Sequence, residues 1–191
     1  MRVNTNLAYQ EQRWEEIIGG RPVMMAPPMI RHVQTAMNLS RIFGTYLKGK
    51  PCRYFSEAGL FLEEGREEYI PDGMVVCDQE KIQANGVHGA PELVVEILSV
   101  TTARYDRGRK KEAYEAAGVR EYWIVDPVHR LIEQYLLERG KFVLHDTYAL
   151  LPEPERERIR EREGWTMPTE FRCSLFEDLL IRLEDVFDQV S

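Results

Sequence analysis

The sequence predicts a mixed α/β fold in a single domain, residues 1–191, and three observations predict it. Leu93–Leu98 (LVVEIL) is a nearly continuous apolar run rich in valine, the composition of a central strand covered on both faces. Glu121–Val125 is a second such run, ended by Asp126-Pro127. Between them, residues 105–117 carry helical spacing and close at Gly118, the residue a left-handed helix end favours.

The remaining elements follow in order. A turn at Gly19-Gly20 precedes a strand at Pro22–Ala26. Residues 29–48 read as a helix ending before Gly49 and Pro51. Its inward stripe is expected at His32/Val33, Ala36/Met37, Leu39/Ser40, Phe43 and Leu47. Short strands are expected around Cys52–Ser56, Gly59–Leu62 and Met74–Cys77. Leu131–Leu137 and Lys141–Leu150 form a hairpin about Arg139-Gly140. The biased stretch PEPERERIREREG, residues 152–164, reads as a solvated connection or a short charged helix. The closing SLFEDLLIRLEDVF supplies a last strand and a short amphipathic helix.

Composition narrows the class. With 191 residues, 43% of them hydrophobic and 30% charged, the chain can bury a core without metal or disulfide staples. The cysteines Cys52, Cys77 and Cys173 are odd in number, far apart and without a C-x-x-C pair. Neither a disulfide framework nor a zinc site is expected, and a reducing cytoplasm fits. Residues 1–20 hold no apolar core of signal-peptide type, and no apolar run approaches the length of a membrane span. The expectation is a soluble cytoplasmic protein without membrane contact. A net charge of −7 argues against nucleic-acid binding through overall charge, while leaving room for a locally basic groove or for carboxylates gathered around a cation.

Several motifs carry no chemistry. Gly44–Lys50 (GTYLKGK) fits the first seven positions of a phosphate-binding loop, but Pro51 stands where a magnesium-binding hydroxyl belongs, and the segment ends a helix instead of starting one. It reads as a helix C-cap. Asn38-Leu39-Ser40 matches a glycosylation sequon inside a helix and is disregarded. There is no H-E-x-x-H, G-x-S-x-G or G-x-G-x-x-G, and His88, His129 and His145 read as isolated surface histidines.

Three residues suggest a site. Glu96 lies inside the most strand-like segment of the chain, where an uncompensated carboxylate costs several kcal/mol. Asp72, in Tyr69-Ile-Pro-Asp-Gly-Met-Val-Val, immediately precedes a short apolar strand, although Pro-Asp-Gly is also a common turn. Lys110 falls on the helical stripe with Ala113, Tyr114 and Ala117, whereas Lys111 points away with Glu115 and Gly118. Taken singly, each has a structural explanation: a buried ion pair, a turn and a snorkelling side chain. Taken together, two carboxylates on neighbouring strands suit a shared Mg²⁺ (or Mn²⁺), with the backbone carbonyl of Ile97 as a further oxygen ligand. A lysine beside them would stabilise negative charge, which is the equipment of phosphodiester hydrolysis.

The segments EIIGGRPVMMAPPMIRHVQ, PDGMVV, APELVVEILSVTT, YDRGRKKEAYEAAGVREYWIVDP and LEDVF resemble the Uma2 family, a bacterial group described as restriction-endonuclease-like, over nearly the whole chain. The resemblance implies a PD-(D/E)XK nuclease fold, a mixed central sheet flanked by helices. It assigns metal binding to Asp72 and Glu96. That superfamily places its lysine two residues after the second acid, where this chain has Leu98; the Uma2 pattern moves the lysine to the next helix, at Lys110. Two more positions match. Glu16 is an additional acid for a second metal or a water, against its plain reading as a helix-face glutamate. His32 is a substrate contact or proton relay, against its plain reading as a satisfied buried histidine. The implied activity is metal-dependent endonuclease cleavage of nucleic acid, DNA above RNA, by a homodimer. The rival expectations are a catalytically inactive nucleic-acid-binding or defence-associated module on the same fold, and a scaffold whose 152–164 segment meets a partner.

Overall fold

The computed structural model describes residues 15–190; the expectation about a signal peptide falls mostly on residues outside that range. The chain opens with β1 (Glu15–Ile18) and β2 (Arg21–Met24), then α1 (Ile30–Tyr46) and β3 (Arg53–Phe55). β4 (Leu60–Glu63), β5 (Glu67–Tyr69) and β6 (Gly73–Val76) follow, then β7 (Ile82–Gln83), β8 (Gly86–His88) and β9 (Leu93–Ile97). A helix runs as α2 (Ala103–Tyr105), a wider π-helical turn (Asp106–Lys110) and α3 (Lys111–Ala117). β10 (Glu121–Asp126), β11 (Leu131–Glu138), β12 (Lys141–Ala149), α4 (Glu153–Glu163), β13 (Glu170–Arg172), β14 (Leu180–Arg182) and α5 (Leu183–Val186) complete the described order.

The central sheet has the order β12-β11-β10-β9-β6-β3. Only β9 and β10 pair in parallel within it, joined by the helix between them, and the other neighbours are antiparallel. A second sheet, β2-β1-β5-β4-β8-β7, packs over one face. On the opposite face lie α1, α5 and the β13–β14 hairpin.

Strand alternation decides what faces where. Leu93, Val95 and Ile97 point into the core shared with α1. Val94 joins the core beneath the second sheet and α3, so Glu96, two residues on, faces the same way. On the neighbouring β6, Met74 and Val76 take that same side. Gly73 leaves the space that Tyr54 needs, since a Cβ there would lie 2.0 Å from the Tyr54 hydroxyl oxygen. Tyr54 is itself stacked on Phe43 of α1, with ring centroids 4.9 Å apart.

Two expectations are corrected. The inner face of α1 is rotated: Val33 and Met37 are exposed, while Thr35 and Asn38 are buried. Both polar residues are satisfied, Thr35 by donating to the Arg31 carbonyl and Asn38 by donating to the carbonyls of Val186 and Asp188. The cysteines also depart from expectation, because Cys52 and Cys77 form a disulfide. The antiparallel register that pairs Arg53 with Val76 brings the next two residues, Cys52 and Cys77, directly opposite each other. Cysteine usage therefore gives no argument for a reducing compartment. Among the described residues, no helix is long and apolar enough to cross a membrane. Leu47–Gly49 does end α1, with Gly49 at φ +78°, as the C-cap reading expects.

Candidate active site

Four elements converge between the two sheets. β9 delivers Glu96, the residue before β6 is Asp72, β1 delivers Glu16 from the second sheet, and the π-helical turn delivers Asp106 and Lys110. The expected helix-face position of Glu16 is corrected: it lies on a strand and is buried. A π-turn is an uncommon helical feature found often at functional sites. This one faces Asp106 and Lys110 inward, while Lys111 stands over the Tyr135 ring at 3.6 Å. The two adjacent lysines thus occupy the different settings their spacing suggests.

Lys110 is the hub. Its ammonium lies 2.8 Å from Glu16 Oε1, 3.2 Å from Glu96 Oε1 and 3.5 Å from Asp106 Oδ1. Tyr114, one turn further, donates its hydroxyl to the same Glu96 oxygen at 2.6 Å. Asp72 is held apart from the hub. One of its oxygens accepts from the Ile97 backbone N–H at 2.6 Å, and the other lies 3.1 Å from His32 Nε2. The Ile97 peptide thus faces Asp72, and the contact recorded there uses the N–H, not the carbonyl expected as a metal ligand.

A cavity of about 270 Å³ opens onto these groups. Asp72, Glu96, Asp106 and Lys110 lie at its depth, His32 on its wall, and Met29 and Val100 at its mouth. Of the expected residues, Glu16, behind Lys110, and Ile97 fall outside the lining.

One ammonium faces three buried carboxylates, so the charges are unbalanced. Burial pushes the Glu96 carboxyl well above the usual carboxylate range, against the pull of Lys110. Burial likewise lifts Asp106 to about 6, again against Lys110. Burial alone would lower Lys110, but Glu96, Glu16 and Asp106 outweigh it and hold the ammonium above its ordinary value. For His32, burial alone would lower the imidazole, but the bond to Asp72 together with the charges of Asp72, Glu57 and Asp106 outweighs it and raises it.

Asp106 is the residue that sequence reasoning missed. Its side chain is 1% exposed, yet among the described residues neither carboxylate oxygen has a hydrogen-bond partner, and its ion-pair contact is Lys110 at 3.5 Å. Glu121 is an instructive contrast. This equally buried carboxylate accepts from Trp123 Nε1, Gln134 Nε2 and the Ser174 N–H, and it is a structural node. The signal for Asp106 was present in the sequence, because it stands four residues before Lys110 on the same helical stripe.

The orphaned oxygens also test the fit to a divalent cation. Among the described residues, Asp106 Oδ1 and Oδ2 and Glu16 Oε2 are buried without hydrogen-bond partners, and carboxylate oxygens are the donors a hard cation takes. Among the described residues, no group of three or more His, Cys, Asp or Glu side chains converges in a metal-holding arrangement. Mg²⁺ does not require one, since it commonly takes one or two carboxylates and completes its shell with water and substrate phosphate. The donors present fit such an ion.

The buried Asp106 carboxyl, short of hydrogen bonds among the described residues, should cost stability. A folded-state value of about 6, against 3.8 for a free aspartate, means the folded protein holds this proton more tightly than the unfolded chain. Its contribution therefore favours folding below about pH 4 and turns unfavourable as pH rises through 4–6. Asp106→Asn, which mimics the protonated form, is expected to stabilise the protein by on the order of 2–3 kcal/mol at pH 7.5 and by little at pH 4. It should also lower activity, by roughly 10- to 100-fold, through the lost partner of Lys110. Urea unfolding at both pH values, beside a turnover assay, checks the pair of effects.

The chain has a nuclease-like mixed α/β architecture that carries an acidic site built around a helix-borne lysine, and comparison with known proteins agrees on the fold. Residues 4–170 match the Uma2 family, described as "Putative restriction endonuclease", and the chain belongs to that family. It is 27% identical over 135 residues to the uncharacterized protein sll1609 of Synechocystis sp., covering 68% of this chain and 76% of that one. It is 30% identical over 111 residues to slr1290 of the same organism, covering 56% and 58%. In structure it is similar to a crystal structure titled "putative nuclease belonging to DUF820" from Anabaena variabilis, with a TM-score of 0.65, 18% identity, and 91% and 89% coverage. That likeness supports the fold.

Proposed function

We propose that this protein is a metal-dependent nuclease that hydrolyses phosphodiester bonds of nucleic acid, with DNA the favoured substrate. The observation that carries the reading is the convergence of Asp72, Glu96 and Lys110, from two adjacent strands and a helix, on one cavity. Asp72 and Glu96 would hold Mg²⁺ or Mn²⁺, with the Ile97 carbonyl as the expected backbone ligand. When bound, the ion would supply Lewis-acid polarisation of the phosphate and a more acidic water.

The protein's own groups do the rest. The Ile97 N–H and His32 fix the Asp72 carboxylate in one orientation. Tyr114 and Lys110 do the same for Glu96. Lys110, held charged by its three acids, offers a fixed positive group where charge develops on the phosphate. Because that ammonium is already positioned, it need not reorganise during the reaction. Glu16 accepts from the Ile70 N–H and from Lys110, so it acts as a positioning residue behind the lysine.

The rival reading, an inactive nucleic-acid-binding module, draws on one observation: Lys110 already neutralises part of the acidic cluster. Calorimetric titration of Mn²⁺ separates the two. The nuclease reading expects saturable binding to the native protein and at least tenfold weaker binding to the Asp72→Asn/Glu96→Gln variant. Nucleic-acid binding without any metal binding would favour the inactive module.

A further inference from the structure

We infer that the site accepts an unpaired nucleotide, so that single-stranded or locally unpaired nucleic acid, not intact duplex, is the substrate; this rests on the nuclease reading above. Three observations carry it.

The first is depth. The side chains of Lys110 and Asp106 are each 1% exposed, Glu96 3% and Asp72 16%. A phosphate must enter the cavity to meet them. The cavity holds about 270 Å³, just below the roughly 300–1,000 Å³ of ordinary small-molecule sites. That is room for a nucleotide unit and far too little for a duplex, whose phosphates lie on the outside of a wide, stiff rod.

The second is the mouth. Met25-Ala26-Pro27-Pro28-Met29 forms one lip and Val100 the other, with Met29 58% and Val100 96% exposed. Ile30, beside Met29, is 83% exposed. Large aliphatic side chains held in water at the entrance of a polar site are costly to leave uncovered. Met, Ile and Pro are also side chains that proteins wedge between base steps to unstack them. Enzymes that must bring a nucleotide to a recessed site extrude it from the stack and hold its face against apolar groups.

The third is charge. Among the described residues, Lys110 is the one ammonium or guanidinium group lining the cavity, and it sits at the bottom. Duplex binding relies mainly on Lys and Arg contacts to backbone phosphates. This mouth offers contact to base faces in their place.

The test is cleavage, with Mn²⁺, of one labelled 40-nucleotide sequence prepared as single strand, as blunt duplex, and as duplex with a central unpaired bubble. The single strand, and the bubble within its unpaired region, should be cut at least tenfold faster than the duplex. Met29→Ser/Val100→Ser should lower cutting of the unpaired substrates by at least fivefold without lowering the melting temperature, since both side chains are exposed. Duplex cut as fast as single strand would overturn the inference and leave the nuclease reading standing. Unchanged cutting by the double variant would also overturn it. No cutting of any of the three would overturn the nuclease reading and this inference with it.

Discussion

Lys110→Met is expected to cost about 3–5 kcal/mol of stability at pH 7.5 and to lower kcat by roughly 10²–10³-fold. Methionine keeps much of the volume and removes the charge. Glu16, Glu96 and Asp106 then remain buried without the ammonium that lies 2.8, 3.2 and 3.5 Å from them. Losing one partner of a buried ion cluster costs more than the cluster itself contributes, because the stranded charges keep their desolvation penalty. The pH dependence follows from the same residues. In the native protein Lys110 is raised, so its contribution is fully present below the ordinary lysine range and is lost only as pH rises through its folded value. The carboxyls of Glu96 and Asp106 are raised as well, so they take up protons readily once acidified. In the variant, protonation removes the stranded charges. The stability deficit should therefore be largest near pH 7.5 and shrink by more than half at pH 4.5. Guanidinium unfolding of both proteins at the two pH values measures it. A deficit independent of pH would mean that Lys110 acts through packing alone.

Asp72→Asn is expected to separate chemistry from folding. Asp72 lies outside the Lys110 cluster and is 16% exposed. Asparagine retains a carbonyl oxygen to accept from the Ile97 N–H, the stronger of the two contacts. The loss of stability should stay within about 1 kcal/mol, as for substitutions that leave no buried group unsatisfied. Turnover should nevertheless fall by roughly 10²–10³-fold, because a neutral amide is a poor ligand for a hard cation. Steady-state cleavage rates, alongside thermal unfolding, test both halves. Loss of activity together with a large loss of stability would assign Asp72 a structural role through His32 and Ile97.

The parts of the site that could be read from sequence were those encoded by local periodicity. Glu96 was conspicuous because a charged residue interrupts an apolar strand, and Lys110 because helical spacing places it on the stripe of Tyr114. The central strands β9 and β10, the helix between them and the hairpin from β11 to β12 were equally legible, since each segment carries its own pattern or turn. What escaped depends on contacts between distant segments. Glu16 read plainly as a helix-face glutamate, and only its strand's pairing in the second sheet turns it inward. The Cys52–Cys77 bond follows from the register of β3 on β6, which spacing of 25 residues along the chain does not reveal. The rotation of α1 was missed because apolar counting overlooks polar residues that anchor a helix. Asn38 is buried since the α5 end of the chain supplies two carbonyls for its amide. Asp106 was overlooked for the same reason, as a polar member of an otherwise apolar stripe.

Asp72, Glu96 and Lys110 are proposed to make one metal-dependent hydrolytic site. Incubating native protein and Glu96→Gln with a labelled single-stranded oligonucleotide, in Mn²⁺ or in excess EDTA, tests it most directly. The prediction is cleavage by the native protein in Mn²⁺ alone, suppressed at least a hundredfold by Glu96→Gln. Cleavage that persists in EDTA, or that Glu96→Gln leaves intact, would contradict it.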